Sequence, residues 1–133
     1  MQEIEAEPER AAYALEVAAS LLGSAKEMAE KSSFDEAIVS ARDSMRMAGS
    51  ALLFKDGLVS TDLDSSCQYL AEKYGSELPV DEWRRVEQLT RTSFIDKLAD
   101  IFGSSKNRLE KNADLAMEAA HKFLSACSML ILS

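Results

Sequence analysis

The chain has 133 residues, enough for one domain. Its 47% AVILMFWYC and 29% charged residues exclude a disordered tail, and a chain of this length can bury a core without disulfides. Lys plus Arg is 15 against 23 Asp plus Glu, a net charge of −8, which excludes a general phosphate-backbone binder and leaves RNA only a local basic patch to touch.

Residues 1–7 are expected to fray, because Glu3, Glu5, Glu7 and Glu9 alternate as solvated charge. The first helix is predicted over Pro8–Lys31, with Pro8 at the first helical position, where its missing N–H costs nothing. Its apolar stripe is Ala11, Leu15, Ala18, Leu22, Ala25 and Ala29, with Ala14 and Leu21 beside it. Ser33-x-x-Glu36 reads as a capping box opening a second helix. Its stripe is Phe34, Ala37, Ile38, Ala41, Met45, Ala48 and Leu52. Gly57 is its left-handed stop, and Gly49 marks a close helix contact. The short link makes these two helices antiparallel neighbours.

A third helix starts at Thr61 or Asp62, carries Leu63, Cys67, Leu70 and Tyr74 on one face, and ends at Gly75. A fourth opens at Asp81 after Pro79, with Trp83, Val86, Thr90, Phe94 and Ile101 on one side. Lys97 intrudes on that stripe, and Ser93-x-x-Asp96 suggests a break near Ser93. Gly103 to Asn112 is polar and reads as a connection. The fifth helix begins between Asn112 and Asp114 and carries Ala116, Ala120, Phe123, Cys127 and Ile131, flanked by Ala119, Leu124 and Leu130. The expectation is all-α: one antiparallel up-and-down bundle of about five helices spanning residues 1–133.

No basic stretch followed by an apolar run opens the chain, and Met129–Leu132 is far short of the roughly 20 residues that span a bilayer. No leader and no membrane association are expected. Cys67 and Cys127 are too few for a disulfide framework and fall in stripe centres, as small buried hydrophobes do. A cytoplasmic, reducing setting follows as an expectation.

No cofactor, metal or catalytic constellation is apparent. The single histidine, His121, sits at a stripe boundary without ligands or a nucleophile at useful spacing. Arg42 and Arg46, four apart, share a helix margin with Val39 and Leu53, which reads as a subunit interface, as a face against a second helix, or as a solvated edge pairing with Asp43 or Glu30. The Ala-rich helices and that margin leave more apolar edge than one small bundle needs to hide, and a two-fold homodimer is expected. Arg84 and Arg91, with Lys106, Arg108 and Lys111, are the basic-patch candidates, but no aromatic residues interleave with them as a nucleic-acid binder would require.

One resemblance adds to this. A long Ala-rich helix is followed by Ser33-Phe34-Asp35-Glu36-Ala37-Ile38, Ala41-Arg42, Ala48-x-x-Ala51-Leu52-Leu53 and Asp56-Gly57. Later come Asn107-Arg108 and an Ala-Ala-x-x-Phe-Leu helix from Ala113 to Leu124. Over most of residues 8–132 the pattern resembles the HEPN domain (higher eukaryotes and prokaryotes nucleotide-binding). The resemblance implies a compact helical bundle that pairs into dimers. It also implies association with a minimal nucleotidyltransferase in a toxin–antitoxin pair. Active members are metal-independent ribonucleases, with an arginine followed four to six residues later by a histidine.

Arg108 matches that arginine, but residues 112–115 read Asn-Ala-Asp-Leu, and Thr61-Asp62 stands where many relatives have Thr-His. His121 lies thirteen residues past Arg108, too far for the motif. Cleavage needs a group that exchanges protons near neutral pH. Asn112 cannot do so, and Asp114, near a positive helix start, would stay ionised. The expected function is therefore a non-catalytic binding or interaction module. Arg108, Asn107, Lys111, Arg42 and Arg46 are its candidate contacts to a nucleotide or RNA, held weakly. The alternatives are a divergent HEPN ribonuclease or an unrelated helical adaptor.

Overall fold

The computed structural model describes residues 1–100 and 106–132, with side chains described outside 93–106. Five helices dominate the described residues: α1 (Pro8–Glu30), α2 (Phe34–Lys55), α3 (Leu63–Tyr74), α4 (Val80–Asp100) and α5 (Lys106–Leu132). The bundle is all-α, apart from one two-stranded antiparallel pairing of β1 (Gln2–Glu3) with β2 (Leu58–Val59).

Alanine sets the spacing of the first two helices. Ala11, Ala14, Ala18 and Ala25 of α1 are buried, as are Ala37, Ala41 and Ala48 of α2. Side chains this small let the two backbones approach closely. Ser40 and Ser44 exploit this, donating to the carbonyls of Leu21 and Ala18, each at 2.7 Å. These pairs run in opposite directions along the two helices, so α1 and α2 are antiparallel. Pro8 holds the first helical turn of α1 as expected.

α2 is the central element, packed against α1, α4 and α5. Lys55 donates to the Leu130 carbonyl at 2.5 Å, joining the C-terminal ends of α2 and α5. Gly49 meets Trp83, and Arg46 meets Glu87, so α4 runs antiparallel to α2. Most of the buried apolar side chains among the described residues form one cluster. Its largest fully buried side chains are Phe123, Ile38, Met45, Leu52, Leu53, Leu70 and Val86.

Four expectations are corrected. The N-terminal residues do not fray: Gln2 pairs with Val59, and Ile4 N–H donates to the Gly57 carbonyl at 2.8 Å. The glutamate side chains there are solvated, but a strand partner supplied from residue 58 onward holds the backbone. Ser33 is the N-cap residue of α2, yet it makes no capping bond. Its N–H already donates to the Met28 carbonyl at 2.8 Å, closing α1 around Ser32 at a φ of 62°, so the reciprocal half of a capping box is unavailable. The backbone of α4 continues through Ser93 to Asp100. Phe94 and Lys97 fall among the undescribed side chains, and Ile101 lies outside the described residues. Residues 106–112, read as a connection, form the first two turns of α5, since good helix formers such as Lys, Arg, Leu and Glu occupy them.

Two helix ends match their residues. Gly57 takes a φ of 74°, and the Asp62 carboxylate caps α3 by accepting from Ser65 N–H at 3.3 Å. α5 is also more apolar than Met129–Leu132 alone suggests. Residues Asn107–Leu132 form the one described helix long and apolar enough to cross a membrane by length and composition. One face of that helix, from Leu109 through Ala116 and Phe123 to Cys127, is packed in the bundle core.

Candidate functional site

Three constructions could carry function. The first centres on a carboxylate that the sequence reading passed over. Glu87, one turn after Trp83, is 4% exposed on the inner face of α4. It accepts two bonds of 2.7 Å from Arg46, one from Nε and one from an Nη, and a third of 3.1 Å from the Trp83 indole N–H. The Trp83 ring in turn meets Phe123 at 5.2 Å between centroids. A bidentate pair with an extra donor satisfies a buried charge. Beside it a cleft of about 240 Å³ is lined by Ser50, Ser60, Thr61 and Ser66. The signal was present in the Trp83–Glu87 spacing: a buried indole N–H needs an acceptor, and i,i+4 is within reach on a helix.

The second construction is the Asp56 group. Tyr69 donates to Asp56 at 2.9 Å, Tyr74 at 2.8 and 2.9 Å, and Lys73 Nζ lies 2.9 Å away. Burial opposes the Asp56 charge, but the bonds from Lys73, Tyr74 and Tyr69 outweigh it and hold the carboxyl below its ordinary range. Burial, followed by the bond to Asp56, pushes the Tyr74 hydroxyl up to about 12. The group ties the end of α2 to α3.

The third is a groove of about 460 Å³ between α1 and α2. Leu21, Met28 and Val39 supply apolar surface, and Asp35, Glu36 and Asp43 contribute acidic side chains.

The residues singled out in the sequence do not converge on one site. Asn107, Arg108 and Lys111 are exposed side by side at the start of α5. Arg46 belongs to the Glu87 group, level with Phe123. Arg108 is fifteen residues before Phe123 on the same helix, about 22 Å at 1.5 Å per residue. Arg42 is half-buried and binds its neighbour Asp43 through Nε at 3.1 Å and Nη2 at 2.9 Å. Leu53 is 2% exposed and both arginines are paired with acids, leaving Val39 at the groove.

His121 is exposed, about 20 Å along the helix from Arg108. Asp114 is exposed in the third turn of α5 rather than at its start. Both thiols are fully buried: burial pushes Cys67 up to about 11 and Cys127 far above the usual thiol range. Neither is a thiolate at neutral pH. Among the described residues, no three His, Cys, Asp or Glu side chains are grouped to hold a metal ion.

Comparison with known proteins yields no matching family model, no similar curated protein and no similar solved structure.

Proposed function

We propose that the chain is a non-catalytic, HEPN-like interaction module that acts by holding a partner protein. The supporting observation is the α1/α2 groove, where apolar side chains remain open to solvent between two rigidly seamed helices. The HEPN part of the reading rests on the sequence pattern of residues 8–132. That resemblance makes a minimal nucleotidyltransferase the first partner to test.

The ribonuclease alternative needs a proton-transfer group beside Arg108. The lone imidazole is about 20 Å away along α5. Arg108 can hold a phosphate with its planar fork of donors at any pH, but the 2′-hydroxyl still needs a base and the leaving oxygen an acid. The test is purified protein with single-stranded RNA in chelator, beside Arg108→Ala. No cleavage is expected, and RNA or nucleotide binding should be weak and should fade with added salt. Cleavage by the parent that disappears in the variant would install the ribonuclease reading instead.

A further inference from the structure

Resting on the interaction-module reading, we infer that the α1/α2 groove receives a basic amphipathic helix from a partner protein. The groove's apolar lining on α1 is Leu21 and Met28, and Tyr13 and Val17 extend the same helix face beyond it. Tyr13, Val17, Leu21 and Met28 fall on one face of α1 at i, i+4, i+8 and i+15, a stripe about 22 Å long at 1.5 Å per residue. Tyr13 is 66% exposed, and Val17, Leu21 and Met28 are only partly buried. Val39 faces the same groove from α2. The Ser40 hydroxyl, which also lines it, is already bonded to the Leu21 carbonyl, so an apolar side chain can lie there without stranding that donor. A helix laying apolar residues at i, i+3, i+4 and i+7 into such a trough is a recurring mode of recognition.

Charge selects the occupant. Asp35, Glu36 and Asp43 line the α2 side, and Arg42 is bound to Asp43 Oδ1. The whole chain carries −8. Lysine or arginine flanking the apolar stripe of the incoming helix would meet these carboxylates and be steered toward them. A second copy of this chain would bring another acidic rim and another −8, so it is the poorer fit. A nucleic acid backbone is repelled by the same carboxylates.

The test uses the isotope-labelled full chain and a synthetic helix of about 18 residues, built from leucine and lysine at amphipathic spacing. Two controls accompany it: the same composition scrambled out of helical period, and a leucine–glutamate version. Amide shift changes are expected along residues 13–43, with both controls binding about tenfold more weakly. The double variant Glu36→Gln/Asp43→Asn, checked for unchanged helicity, should also lose about tenfold, and about 0.5 M salt should do the same to the parent. Glu118→Gln on α5 removes one charge elsewhere and should leave binding unchanged.

Equal binding of the scrambled peptide, indifference to the double variant, or shifts mapping to other helices would overturn the inference. So would a two-chain species in sedimentation that Val39→Asp returns to one chain, which would assign the groove to a second copy. A partner protein held through another face would sink the groove and leave the interaction-module reading standing. RNA cleavage dependent on Arg108 would do the reverse.

Discussion

Gly49 and Ser32 are two positions where a single β-carbon decides stability, with opposite signs. A Cβ at Gly49 would lie 2.9 Å from the Trp83 ring carbon Cη2 and 3.0 Å from Cζ3, and Trp83 is only 2% exposed and cannot swing away. Gly49→Ala gains about 1 kcal/mol of helix propensity but overpacks a ring fixed on both sides. A net loss of about 1–2 kcal/mol is expected in urea denaturation. Ser32 bears the reverse burden: it holds a φ of 62° with a β-carbon attached, where glycine is at ease. Ser32→Gly should gain about 0.5–1 kcal/mol, read in the same experiment. Gly49 was legible in the sequence as a close contact. Ser32 was not, because nothing in a Lys-Ser-Ser run says which serine turns left-handed.

The junction of α2 and α3 shows how an element is fixed by one half-buried acid. Asp56 contributes fully above the unfolded carboxylate value of about 4, and that contribution is lost as pH falls through its lower folded value. Tyr74 works at the other end. Its contribution is complete below the unfolded tyrosine value of about 10 and fades as pH rises toward 12. Asp56→Asn should therefore cost about 2 kcal/mol at pH 7 and progressively less as the pH drops below about 4. Tyr74→Phe should lose about 1–2 kcal/mol at pH 7, with a stability profile flatter than the parent's above pH 10. Denaturation midpoints across pH measure both. A parent profile that stayed flat below pH 4 would show that the group does not couple to folding.

At the scale of the whole molecule, the Arg46–Glu87–Trp83–Phe123 chain links α2, α4 and α5 through one carboxylate. The pair is asymmetric: the Arg46 side chain is 46% exposed, whereas that of Glu87 is 5% exposed. Removing the arginine strands a buried charge, while neutralising the acid leaves a cation that water can reach. Arg46→Met should thus cost more, about 2–4 kcal/mol, than Glu87→Gln at about 1–2 kcal/mol, and the double variant should cost less than their sum. A thermodynamic cycle of the three variants gives the coupling directly, and additive losses would show that the two side chains are independent.

Local patterning carried the helices themselves. Alanine, leucine and phenylalanine at helical spacing place the buried faces of α2 and α5 wherever the core needs them, and Pro8, Asp62 and Gly57 mark their own helix boundaries through backbone geometry that each residue enforces by itself. What tertiary structure decided was the fate of polar groups. Glu87, Ser40 and Ser44 look like solvent residues in sequence, and each is buried because a partner on another helix completes its bonding; the half-buried Asp56 is bound across to α3 in the same way. Arg46 found its acid forty-one residues away, a pairing no local spacing encodes. The α1/α2 groove likewise exists only once two half-apolar stripes are set side by side, because neither helix alone has a trough between them.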